Sequence, residues 1–130
     1  VARDNAAIHN TDIIFHEGDF LSQDFRNTLP ASDILISNPP YIPVSEKDKI
    51  HQNVVRFEPH LALFVQNEDP LLFYRTIAIF GKEKLKPGGK VYFEINEDLG
   101  DAVVQLAAGH GFTSTLRKDM QGKDRMVKIR

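Results

Sequence analysis

The sequence contains no cysteine. That excludes a disulfide, a thiolate nucleophile and a zinc-thiolate centre. It also lacks an excess of positive charge. Sixteen lysines and arginines face 18 aspartates and glutamates, for a formal net charge of -2. A nucleic-acid binder ordinarily carries a strong basic surplus to neutralise phosphates, so nucleic acid is not the expected partner, although a local basic stripe could hide inside a neutral total. The sequence shows neither an apolar run long enough to cross a bilayer nor a signal-peptide pattern, and the expectation is a cytoplasmic protein without a membrane partner. The five histidines, at 9, 16, 51, 60 and 110, share no ligand spacing, so no metal is expected. A Gly-x-Ser-x-Gly elbow, the mark of one class of serine hydrolase, is missing. So is a glycine-rich loop between a strand and a helix: Gly88-Gly89 and Gly109-His110-Gly111 fall at a turn and a helix end.

What is present is the composition of one globular domain, 42% apolar and 26% charged over 130 residues. Residues 1 to 9 read as a helix ending near Asn10. Ile13 to Phe15 read as a short strand closed by a Gly18-Asp19 turn. Asp33 to Ser37 form a second strand, apolar on both faces as buried parallel strands usually are. The stretch from Pro39 to about Glu68 has no clear period, and connections of that length are often functional. Asp69-Pro70 predicts a helix start, with Leu72, Ile77, Phe80 and Leu85 sharing much of one face. Lys86-Pro87-Gly88-Gly89 turns the chain into a strand over 91 to 95. Asp98 or Asp101 can cap a helix to about Ala108, and two closing strands, 112 to 118 and 125 to 129, meet at a turn around Gly122. This order predicts an α/β sheet, mainly parallel, with a final antiparallel pair. On strand 91 to 95, alternation puts Glu94 on the face opposite Val91, Phe93 and Ile95, where pairing with a neighbouring lysine or arginine is expected. Arg125, beside Asp119 and Asp124, is expected to tie the closing hairpin together.

The segment Ser37 to Pro43, SNPPYIP, carries the chemistry. Ligands in open α/β sheets bind at the carboxyl ends of strands, where Asn38 stands. Its side chain offers a carbonyl acceptor, and the Pro39 carbonyl offers a second, so the two can hold one NH2 group. The prolines fix φ near -65° and hold those acceptors in place before a substrate arrives. Tyr41 supplies a flat face for a planar amide or base. An amide or aryl nitrogen is a poor nucleophile because its lone pair is delocalised. Acceptors on both N–H bonds orient that lone pair and stabilise the positive charge that grows as a methyl group arrives. The plainer alternative is a turn that only ends a strand.

With these residues the chain resembles the class I S-adenosylmethionine-dependent methyltransferases. Within them it resembles the HemK/PrmC protein-glutamine methyltransferases of peptide release factors. SNPPYIP matches that family's signature, VVRFEPHLALF (54 to 64) its following segment, and KPGGKVYFEI and KDMQGKDRMVKIR its later ones, so the likeness spans nearly the whole chain. The resemblance implies a partial Rossmann-like sheet lacking its first two strands. It implies S-adenosyl-L-methionine as cofactor and methylation of a glutamine side-chain nitrogen in a release factor. Asn38, Pro39 and Tyr41 would be catalytic. Asp19 and Phe20, with Asn38, would contact the cofactor, a carboxylate at Asp19 accepting from the adenine amino group. Pro40, Arg56 and Glu58 would support the substrate loop. The glycine-rich cofactor loop and the helical substrate-recognition domain of that family have no counterpart in these residues, so residues 1–130 are read as the carboxyl-terminal portion of one methyltransferase domain. Unpaired strand edges and self-association are then expected. Two other functions stand beside this one: an amino-methyltransferase acting on an RNA or DNA base, and an inactive fragment with an incomplete cofactor site.

Overall fold

The structure, a computed structural model, describes residues 1–45, 63–65 and 69–130. Helix α1 (Ala2–Ile8) ends as expected, with Asn10 taking a left-handed φ of 49°. Residues 13 to 15, expected to be a strand, are not one. A strand is defined by its neighbour, and no described strand lies beside this stretch. Ile13 and Ile14 are exposed in consequence. A short helix not anticipated from the sequence, α2 (Gln23–Thr28), follows the Gly18-Asp19 turn, and the Ser22 hydroxyl caps it by accepting from the Phe25 N–H at 3.4 Å. Gly18 is required there by contact, because a Cβ on it would stand 2.3 Å from the Phe25 ring.

Strand β1 (Ser32–Ser37) runs parallel to β4 (Leu85–Glu94), which pairs antiparallel with β6 (Asp124–Ile129), which pairs antiparallel with β5 (Ser114–Lys118). The spatial order is β1-β4-β6-β5, and two short strands, β2 (Ile42–Pro43) and β3 (Phe64–Val65), pair parallel apart from it. The outcome is the α/β class expected, a mixed sheet with the antiparallel hairpin at its carboxyl end. The Lys86 to Gly89 turn is absorbed into β4 as an irregularity. Ser32 faces Leu85 while Ile34 faces Lys90, and Gly88 makes the excursion at φ +80°.

Helices α3 (Leu72–Lys84) and α4 (Gly100–Gly109) cover one face of this sheet. Tyr74, Ile77 and Ala78 from α3 and Val103 and Ala107 from α4 meet Val91, Phe93 and Ile95 of the β4 segment and Val127 and Ile129 of β6. Ile77 and Phe80 lie on the buried face assigned from helical spacing. Tyr74, three residues before Ile77, shares that face and is buried with them. The cap of the second helix differs from expectation. Asn96, not Asp98 or Asp101, accepts from the Asp98 N–H at 3.0 Å and opens a short 3-10 turn (Glu97–Leu99) ahead of α4.

The opposite face is another correction. β1 was expected to be apolar and buried on both sides, yet only Leu35 packs against the core. Ile36 is 82% exposed and Ile34 55%, and Tyr92 and Met126 lie exposed on the neighbouring strands. No described helix covers these side chains, so the apolar run reports composition rather than burial.

Asp69 does not cap α3, whose N-cap is Leu71. Its carboxylate instead takes a two-pronged contact from Arg75, at 2.7 and 3.2 Å. That hydrogen bond, more than the Coulomb attraction, holds the Asp69 carboxyl below its ordinary range. A carboxylate with a lowered folded pKa contributes stability above its unfolded pKa and loses it as pH falls through the folded value. Both side chains are more than a third exposed, so the contribution is expected to stay under about 1 kcal/mol. Urea unfolding of Asp69→Asn beside the parent chain checks this: a small deficit at neutral pH should vanish in acid below the carboxylate range.

Candidate functional site

Because β1 and β4 are parallel, their carboxyl ends come out together, with Ser37 opposite Phe93. Asn38 therefore leaves the sheet beside Glu94. Asn38 is exposed, Pro39 is buried and Pro40 half-buried, so a rigid anchored segment presents the amide side chain to solvent. Tyr41 turns back toward the core. Its ring packs against the central cluster, and its hydroxyl donates to Glu94 Oε1 at 3.3 Å. Glu94 thus departs from the expected pairing with a lysine or arginine; its described partner is a phenol. Burial pushes the Tyr41 hydroxyl pKa up, and the Glu94 charge pushes the same way, while the Arg125 guanidinium opposes both.

Arg125 does tie the closing hairpin. Its Nε donates to Asp119 Oδ2 at 3.3 Å and its Nη1 to the Ile95 carbonyl at 3.5 Å. Asp119 also caps the hairpin turn, accepting from the N–H groups of Gln121 and Lys123 at 2.9 and 3.0 Å. Beneath the site, the hydroxyl of fully buried Tyr74 donates to the Glu94 carbonyl at 3.3 Å, and its ring meets Phe93 edge-on at 5.5 Å. Burial drives the Tyr74 pKa upward. The strand end that carries Glu94 is therefore fastened both to α3 and, across Ile95, to the hairpin.

Asp19 and Phe20 lie on the connection after α1. The Asp19 carboxylate accepts from the Leu21 N–H at 2.9 Å, the geometry of a turn residue. Phe20 packs edge-to-face on Phe80 at 5.3 Å, and Arg26 clamps the segment by donating to the Phe20 and Leu21 carbonyls, both at 2.7 Å. Arg56 and Glu58 fall outside the described residues.

Two cavities meet at the SNPP segment. One, of about 470 Å³, is largely apolar and is lined by Phe20, Leu35, Pro39, Ile77 and Phe80 among others. The second, of about 660 Å³, lies over the exposed sheet face and sets Asn38, Glu94 and Arg117 among Ile36, Tyr92 and Met126. The structure thus brings Phe20 and Pro39 to one cavity and sets Asn38 on the other. An apolar slot edged by aromatic rings suits a flat heterocycle. A groove with an amide and a carboxylate suits a polar chain. Among the described residues no cluster of three His, Cys, Asp or Glu side chains could hold a metal ion, and no helix is long and apolar enough to cross a membrane.

Comparison with known proteins bears on this arrangement. No family model matches the chain. It is 45% identical over 129 residues to a release factor glutamine methyltransferase of Flavobacterium psychrophilum, which covers 98% of the chain and 45% of that protein. It is 42% identical to the protein of the same name in Bacteroides thetaiotaomicron, covering 98% and 46%, and 38% identical to that of Streptococcus pneumoniae, covering 99% and 45%. The chain spans about half the length of the curated relatives it matches. A crystal structure of a release factor-specific protein-(glutamine-N5) methyltransferase from Alicyclobacillus acidocaldarius aligns with TM-score 0.44 at 20% identity, covering 88% of this chain and 98% of that one. The fold assignment rests on the strand order above and not on that alignment.

Proposed function

We infer that this chain, whose sequence belongs with the release factor glutamine methyltransferases, is the carboxyl-terminal portion of the catalytic domain of such an enzyme. The complete protein, on this reading, is a cytoplasmic enzyme that methylates a glutamine side-chain nitrogen of a peptide release factor. The observation that carries it is the rigid Asn38-Pro39-Pro40-Tyr41 segment at the joined carboxyl ends of two parallel strands, beside an apolar cavity.

The apolar cavity fits the flat part of S-adenosylmethionine, with Phe20, Leu35 and Pro39 as the residues that would hold it. Asp19, next to Phe20 in the chain but not itself lining the cavity, would have to turn its carboxylate from the Leu21 N–H to accept from the adenine amino group. When bound, that cofactor supplies an electrophilic methyl group. Asn38 Oδ1 and the Pro39 carbonyl accept from the two N–H bonds of the glutamine amide. They hold its nitrogen with the lone pair turned toward the electrophile. As the C–N bond forms and the methyl–sulfur bond breaks, leaving a neutral thioether, positive charge would grow on nitrogen, and the two acceptors would stabilise it until one proton leaves to water. Tyr41 would cover the planar amide, with Pro40 supporting its loop.

A radiolabel transfer assay tests this, using the complete protein offered labelled S-adenosylmethionine with a release factor in one tube and RNA or DNA in another. Label on the release factor, lost when its acceptor glutamine is replaced, is the expected result. Label on nucleic acid alone would mean that the NPPY segment grips a base.

A further inference from the structure

Glu94 belongs to none of the roles assigned above, although it stands at the meeting point of the site's elements. We propose that Glu94 is a positioning residue: through its Oε1 it fixes the Tyr41 hydroxyl and so sets the stacking face of the NPPY segment against the acceptor amide. The proposal rests on the methyltransferase reading for its kinetic consequence but not for its structural content.

Three observations carry it. The contact joins residues 53 apart in sequence and links the end of the segment, after Pro39 and Pro40, to the end of a core strand. Glu94 is itself held from behind, because its carbonyl accepts from the buried Tyr74 hydroxyl and the next residue, Ile95, donates its N–H to the Arg125 carbonyl at 2.9 Å. The main chain that carries this carboxylate is thus fixed at the strand end, and the hydrogen bond ties the Tyr41 phenol to that fixed point. Lastly, Glu94 lines the same cavity as Asn38, which puts the anchor of Tyr41 and the amide-binding side chain in one compartment.

Reach and charge are separable here. Glu94→Asp keeps the charge and withdraws the oxygens by one methylene. Glu94→Gln keeps the reach and an acceptor oxygen while removing the charge. If Glu94 positions Tyr41, the aspartate variant of the complete enzyme should lose about 10-fold in kcat, with the KM for S-adenosylmethionine within about 2-fold. The glutamine variant should lose no more than about 3-fold. Combining Glu94→Asp with Tyr41→Phe should be no slower than Tyr41→Phe alone, since both remove the same contact.

A readout without turnover accompanies these rates. In protein labelled with carbon-13 at the tyrosine ζ carbon, the Tyr41 resonance, assigned by its loss in Tyr41→Phe, should move in Glu94→Asp and far less in Glu94→Gln. An unmoved resonance, a glutamine variant as slow as the aspartate one, or losses that multiply in the double variant would each overturn the proposal. If the unaltered enzyme methylates no release factor, the functional reading fails, and the resonance alone decides whether Glu94 holds Tyr41.

Discussion

Replacing Asn38 with alanine in the complete enzyme should lower kcat by about 100- to 1,000-fold, the cost of removing one preorganised partner for charge that develops in a transition state. S-adenosylmethionine affinity should change by no more than about 3-fold. The split follows from where the residue sits. Asn38 is exposed and lines the second cavity beside Glu94, whereas Phe20, Leu35 and Pro39 are among the residues that line the first. Its amide oxygen therefore meets a polar acceptor chain more directly than a heterocycle in the apolar slot. The substitution should leave folding intact, because an exposed side chain adds little to the core and the segment's shape is set by its prolines. Single-turnover rates and equilibrium cofactor binding on the same preparation check both halves. Equal losses in the two would assign Asn38 to the cofactor instead of the acceptor.

Much of this site could be read from residues alone, for identifiable reasons. The SNPP segment at a strand end was legible because proline restricts the chain whatever surrounds it. Alternation placed Glu94 on the face opposite Val91, Phe93 and Ile95, and those three are buried as that period requires. What alternation could not give was the partner. Tyr41 reaches Glu94 across 53 residues, a pairing set by the parallel register of β1 and β4 and by no local signal. The strand expected at Ile13 to Phe15 failed for a related reason. Apolar composition and turn residues mark a segment that could be a strand, but only a neighbour makes it one. The short helix α2 went unseen because it has six residues, too few for a period to show. Its only cue was Ser22 ahead of it.

In dilution experiments the 130-residue chain is expected to self-associate, and Ile36→Lys should raise the concentration at which it dissociates by about 10-fold or more. β1 hydrogen-bonds only β4 among the described strands, so its outer edge presents unpaired backbone donors and acceptors. The same strand exposes Ile34 and Ile36, and Tyr92 and Met126 extend the patch across β4 and β6. Burying one isoleucine against a second chain is worth about 1.5 to 3 kcal/mol, which is the source of the 10-fold figure. A lysine at the edge adds charge repulsion between copies and costs the monomer little, since position 36 is 82% exposed. Sedimentation velocity over a dilution series measures the shift, and a chain that stays monomeric and unfolds in one cooperative step would refute it. The same substitution in the complete protein reads differently. A marked loss of stability there would mean that other segments bury this face, because a lysine forced beneath them without a partner is strongly disfavoured. Unchanged stability would mean that the face is open in the complete enzyme as well, and that it is available to a partner.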